Sequence, residues 1–391
     1  MDFNASPRAS VGAEYELLLL DAGTLDLADR IDDLLQACLD RRHVTAEYFQ
    51  PTVEIVSQVC PNIPSLEQHL LEQLAMLQTA ASRVGLRLAG FGTHPFSKRQ
   101  IAISSGERYQ SLRATTGNVN HLQVTYGLHI HVGMQSGEQA ITVMNRLRPY
   151  LPLLLALSAN SPYWRGLDTG FASYPQRMLL TLPAFGLPPR FADWPSFAHM
   201  AETAQRAGIF PSLKDMHWDL RPRPDFGTLE IRVMDSESSV EATTALAAVC
   251  LALVEFLKVA DPDQVHVPEL PVWMEAENHY RASLAGLDGL CIVGCQGEQR
   301  RFRELALDVL NTLAPIAVQL DALEQLQRAV ALLIDDSPAA RQRRLRRKSG
   351  SLRRMVAQVA AELAAEARAT TGHAPLLPPS PHNRRPGQSL R

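Results

Sequence analysis

The stretch VGAEYELLLL, residues 11–20, decides the fold. In its first half Glu14 and Glu16 share one parity, while Ala13, Tyr15 and Leu17 share the other. Side chains two residues apart leave a strand on the same face, so the alternation predicts a β-strand with two carboxylates on one side and a packed layer on the other. Two later stretches repeat the device. GLHIHVG, 127–133, sets His129 and His131 two residues apart, and GTLEIRV, 227–233, does the same with Glu230 and Arg232. Tyr15, Ile130 and Ile231 then belong to the opposite, packed face. Gln50 and Glu54 keep this parity in a fourth run, Tyr48 to Val59, where Pro51 argues for an edge or a bulge. Four strands of this kind predict one lined cleft.

Around these strands the chain has an α+β pattern. A short helix is expected over 29–39. A longer one opens at Ser65 with Gln68 completing a capping box, carries apolar residues from Leu66 to Val84, and ends at Gly85. Strands are expected at 86–91, 122–126, 128–134 and 228–234, with a polar loop over 92–117 whose length suggests function. Helices are expected at 138–148, from Pro149 to about Asn160, and at 240–259; residues 161–213 are loop-rich, and the remainder to Asp336 is largely helical. Strands early and helices late are not a regular βαβ alternation. One catalytic domain is therefore expected over 1–336. Residues 337–391 are expected to be an Arg-rich, solvated helical extension with a disordered Pro/Ser/Gly tail.

The formal net charge of -3 offers no global field for nucleic acid, so any anion must be held locally. Only four of the 38 basic residues are Lys, and Arg is the side chain suited to forked contacts with carboxylate and phosphate. The five cysteines are scattered and odd in number, which excludes a disulfide framework and a paired-CxxC zinc site. No signal peptide is read at the N-terminus, and the apolar run Ala242–Val254 is shorter than a membrane span, so a cytoplasmic protein without membrane attachment is expected.

Several carboxylates on one face repel one another unless cations neutralise them, and hard oxygen ligands favour magnesium or manganese over zinc. Taken singly, each pair has a plain alternative: Glu14 and Glu16 an exposed sheet face, the HxH pair a zinc site or a packed surface. Their combination favours a site. No GxxxxGK[ST] motif is present, so a triphosphate would have to be neutralised by metals and arginines.

With GAEYELLLLD (12–21), GTHPF (92–96), GLHIHVG (127–133), LLALSANSPYWRGLDTG (154–170), WDLRPRPDFGTLEIRVMD (218–235) and ENHYRASLAGL (277–287) in this order, the chain resembles the carboxylate–amine ligase branch of the glutamate–cysteine ligase type 2 family, related in fold to glutamine synthetase. The resemblance implies a curved, funnel-like antiparallel sheet backed by helices, ATP and Mg2+ (or Mn2+) as cofactors, small-molecule carboxylate and amine substrates, and a homodimer. By motif position it implies Glu14, Glu16, Glu54, His129 and Glu230 as metal ligands. It further implies Arg232, Glu230 and His131 in catalysis, Arg232, Arg221 and Arg108 at the nucleotide, and Arg165, His94 and Trp164 at the substrate. ATP would phosphorylate the carboxylate, and the amine would attack the acyl phosphate; glutamate and cysteine are the default pair. A metal-dependent amide hydrolase and a non-catalytic binding descendant are the competing readings.

Overall fold

Strand β1 (Val11–Asp21) is the hub of a seven-stranded sheet, seen here in a computed structural model that describes residues 1–106, 109–110, 124–182, 184–261 and 264–371. The other strands are β2 (Val44–Ala46), β3 (Thr52–Val56), β4 (Leu86–Ala89), β5 (Gly127–Gly133), β6 (Leu220–Arg223) and β7 (Thr228–Asp235). Their order is β6-β7-β5-β1-β3-β2, with β4 also on β1, and every pairing is antiparallel. β1 is long enough to serve three neighbours: Val11–Tyr15 pair with β5, Glu14–Leu18 with β3, and Leu18–Asp21 with β4.

The two faces of β1 carry different cores. Tyr15, Leu17 and Leu19 join Ile130 and Ile231 in the main core, all of them fully buried. The Tyr15 hydroxyl donates to the Glu237 carbonyl at 2.6 Å. On the other face Glu14 and Glu16 are followed by Leu18 and Leu20, which pack with Phe49, Phe91 and Tyr126 in a second core. A single face is thus polar at one end and apolar at the other.

Helix α1 (Ile63–Arg83) and helix α2 (Val240–Val259) back the main core. α1 begins two residues before the expected Ser65, because the Asn62 side chain accepts from the Ser65 N–H at 3.0 Å and so caps the first turn. α2 is apolar and long enough to cross a bilayer by length and composition, yet 89% of its apolar window is buried inside the protein, which accounts for an all-round apolar helix. Three departures from expectation matter. β6 was hidden by Pro222, which an edge strand tolerates because its N–H side need not be paired. A helix, Trp194–Arg206, capped by Asp193, lies within the stretch expected to be loop. The Arg-rich stretch is not simply solvated: it forms helix α3 (Pro338–Ser349), and helix α4 (Leu352–Thr371) follows, with Met355, Val356 and Val359 closing the second core. The tail from residue 372, the Leu122 end of an expected strand and much of the 92–117 loop lie outside the described residues.

The loop after β4 passes so close to the end of β7 that only glycine fits. A Cβ at Gly90 would stand 1.7 Å from the Glu237 carbonyl oxygen, a backbone atom with nowhere to retreat. Gly90→Ala is expected to cost about 3 kcal/mol or more in denaturant unfolding, at or above the upper end for overpacking. Gly85→Ala meets nothing within 4 Å but adopts φ +70°, and should cost only the left-handed backbone term, about 1 kcal/mol.

Candidate active site

The register of the strands turns the paired residues into rows. Arg221 lies opposite Glu230 and Glu230 opposite His131; Glu14 lies opposite His129, and Glu16 opposite Glu54. Cross-strand neighbours of this kind stand close enough for their side chains to meet.

Glu230 anchors one end. It is fully buried, and three guanidiniums converge on it. Arg221 donates twice, from Nε to Oε2 at 2.6 Å and from Nη2 to Oε1 at 3.2 Å. Arg223 donates from Nη1 to Oε2 at 3.3 Å, and Arg232 from Nη1 to Oε1 at 2.5 Å. Burial alone would raise the Glu230 pKa, but the charges of Arg232 and Arg221 hold it well below the usual range. Burial and the neighbouring Arg232 in turn pull Arg221 down to about 10.

Glu14 is the centre. Its Oε2 lies 2.9 Å from His129 Nδ1, and its Oε1 lies 3.2 Å from His131 Nε2. Burial opposes its charge, but hydrogen bonds from the two imidazoles outweigh burial and keep it ionised. His129 Nδ1 also lies 3.2 Å from Arg232 Nη1. That nitrogen can donate to the carboxylate or accept from the guanidinium, not both. Burial and Arg232 lower the His129 pKa, favouring the neutral ring that a metal ligand requires.

Among the described residues two groups of ligand atoms follow. Glu14, His131 and Glu230 offer atoms all within 4.8 Å of one another, and so do Glu14, Glu54 and His129. Glu14 belongs to both. Among the described residues the neighbouring carboxylates have little positive charge beside them: burial and then Glu47 push Glu16 up to about 8, and burial with Glu47, Glu14 and Glu16 raises Glu54 well above its ordinary value. An excess of carboxylates whose charge is unfavourable without a counter-ion, with imidazoles added, fits a hard divalent cation.

The structure thus brings Glu14, Glu54, His129, His131, Glu230, Arg232 and Arg221 together. Glu16 joins them at the edge, one oxygen taking the Gly127 N–H at 2.6 Å. His131, expected in catalysis rather than at the metal, stands among the ligand atoms of one group. His94, Trp164 and Arg165 are gathered elsewhere, around a small cavity with Ser97 and Arg99. Both His94 ring nitrogens are engaged there by the main chain: Nε2 faces the Leu25 carbonyl at 3.0 Å, and Nδ1 accepts from the Phe96 and Ser97 N–H groups at 3.2 and 2.8 Å. His94 therefore shapes the loop instead of offering a free nitrogen to substrate. Arg108 lies outside the described residues. One residue went unread in the sequence: Arg223 obeys the two-apart rule with Arg221 but was masked by Pro222.

Residues 10–358 match a family model described as glutamate–cysteine ligase family 2. A protein of Trichormus variabilis named "Putative glutamate–cysteine ligase 2" is 42% identical over 369 residues, covering 94% of this chain and 95% of its own. One of the same name from Mycobacterium avium is 33% identical over 365 residues, covering 93% and 96%. Among solved structures, the glutamate–cysteine ligase of Francisella tularensis in complex with AMP has a TM-score of 0.66 at 15% identity, covering 95% of this chain and 94% of that one. The bifunctional glutathione synthetase of Pasteurella multocida has a TM-score of 0.69 at 15% identity over 92% of this chain, which spans 53% of that longer protein. At such identities the two structures show the fold, and it is the one the resemblance implied.

Removing the charge of Glu230 leaves three buried or half-buried guanidiniums around a neutral amide. Glu230→Gln is therefore expected to lose about 3–5 kcal/mol of unfolding free energy in denaturant titrations, the range for a buried pair robbed of one partner. His94 gives a pH signature. Burial lowers its pKa from 6.5 to about 4, so as pH falls the unfolded chain takes up the proton first. Its contribution is present above pH 6.5 and is lost through pH 4, on the order of 3 kcal/mol. In His94→Gln the decline of unfolding free energy across that window should be shallower.

Proposed function

The chain belongs to glutamate–cysteine ligase family 2, and we propose that it is an ATP-dependent carboxylate–amine ligase acting on glutamate and cysteine. The observation that carries this reading is Glu14, shared by two clusters of cation-competent atoms beside a half-buried Arg232.

Magnesium or manganese, held by Glu14, Glu54 and His129 and by Glu14, His131 and Glu230, would supply positive charge to the phosphate oxygens. The protein's own groups do the remainder. Arg232 spends one Nη on Glu230, which fixes the plane of the fork and leaves its other N–H groups for a phosphoryl oxygen. Glu230 is itself held by Arg221 and Arg223, so Arg232 is aimed by a rigid anchor, which is how a site stabilises charge without reorganising. A carboxylate oxygen of the acid substrate attacks the γ-phosphorus and ADP departs. The amine nitrogen then attacks the acyl carbon and releases a proton to solvent, and phosphate leaves with the C–O bonding pair.

An acyl phosphate route needs no protein nucleophile, and the cysteines agree with that. Burial pushes Cys60 up to about 11 and Cys291 up to about 12, and Cys250 is fully buried and raised further, so these thiols are not activated. A hydrolase would need no guanidinium anchored at this position and would turn over without nucleotide.

The test is ADP release with magnesium over a panel of amino acids and amines. Glutamate with cysteine should give the highest rate and an equal yield of amide; amide cleavage without ATP would overturn the assignment. Arg232→Lys should lose at least about 100-fold in kcat, as for removal of one charge-stabilising donor, because a point charge cannot replace the fork. Full activity in that variant would remove Arg232 from the phosphate.

A further inference from the structure

Helix α3 comes from the stretch expected to be a solvated extension, yet one of its faces is stitched to the loop that carries Trp164 and Arg165. The Ala339 N–H donates to the Ala159 carbonyl at 2.9 Å. Gln342 Nε2 lies 2.7 Å from both the carbonyl and the side-chain oxygen of Asn160. Arg343 forms a fork on Asp168, Nε to Oδ2 at 3.0 Å and Nη2 to Oδ1 at 2.8 Å, and Nη2 also donates to the Phe171 carbonyl at 2.9 Å. Residues 339, 342 and 343 are one helical face, and together they grip both ends of the segment 159–171.

That segment needs holding. Tyr163–Trp164 and Leu167–Asp168 form a hairpin with only two residues in each strand, too few to be stable alone. Its turn, Arg165–Gly166, has φ +51° and +91°. Gly166 adopts this at little cost, but Arg165 does not, and such a residue persists where its surroundings over-determine it. Asp168, the base of the hairpin, is where Arg343 binds. Trp164 packs with the second core, which includes Leu18 and Leu20, on the face of β1 that carries Glu14 and Glu16. Trp164 and Arg165 line the cavity there, and Ser97, buried in its wall, has a hydroxyl with no hydrogen-bond partner among the described residues. A guanidinium, a free hydroxyl and an indole suit an anionic group of the acid substrate.

We propose that Arg343 is a positioning residue for the reaction: by gripping Asp168 and Phe171 it fixes the Trp164–Arg165 turn where the acid substrate is recognised. This rests on the ligase reading above. The Arg343 and Asp168 side chains are 28% and 44% exposed, so the pair contributes little to overall stability and its effect belongs in substrate binding.

In steady-state kinetics, Arg343→Gln and Asp168→Asn should each raise KM for glutamate about fivefold, the equivalent of one forked surface pair, while kcat, KM for ATP and the melting temperature stay close to those of the unsubstituted chain. Exchanging the charges, Arg343→Asp with Asp168→Arg, should recover most of the glutamate KM. Amide hydrogen exchange over 163–171 should be faster in the single variants and slower again in the exchange. Faster exchange with an unchanged glutamate KM would reduce Arg343 to a structural tie and overturn the proposal, as would a loss confined to kcat. Absence of ADP release by the unsubstituted chain counts against the ligase reading instead. Equilibrium binding of glutamate to the magnesium-loaded protein then decides: about fivefold weaker binding in Arg343→Gln supports the positioning role, and equal binding refutes it.

Discussion

A fully buried carboxylate held by three guanidiniums is the interaction around which this molecule is built. Glu230 would be expelled from the interior as a lone charge, and Arg221, Arg223 and Arg232 would repel one another without it. Each side makes the other tolerable, and the arrangement is possible only because β6 and β7 lie side by side in one register. Its result is a guanidinium, Arg232, whose direction is set before any ligand arrives.

The opposite imbalance lies a few ångströms away in the same sheet. Glu14, Glu16 and Glu54 crowd one region with few positive partners among the described residues, and two of them are pushed towards the neutral form. A protein stabilised for its own sake would replace such groups with apolar residues. Overcompensated charge at Glu230 beside undercompensated charge at Glu54 is instead the pattern that the proposed ligase, with its cations and polyanion, would use. β1 joins the two halves of the problem, since its polar half faces this field and its apolar half, Leu18 and Leu20, seats the core on which the Trp164 hairpin rests.

Where periodicity was clean, the strands were legible. β1, β5 and β7 emerged close to their true bounds because alternation is a direct consequence of the strand's two-residue repeat. β6 was lost to one proline, since local rules do not know that a strand lies at an edge. The start of α1 was misplaced because Asn62, three residues upstream, competes with Ser65 for the cap. The Arg-rich stretch misled for a different reason. Composition suggested solvent, but Arg343 and Arg341 found carboxylates brought from Asp168 and Glu362.

The sequence by itself determined which residues share a strand face, and hence that Glu14, Glu16, His129, His131, Glu230 and Arg232 could act together, because parity within a strand is local geometry. Only the tertiary structure decided what each of them touches. That Glu230 would be gripped by three arginines, that Glu14 would stand in two clusters, and that His94 would turn to the main chain all depend on register between strands and on loops distant in the chain. Those contacts are made by the fold, and no spacing along the chain encodes them.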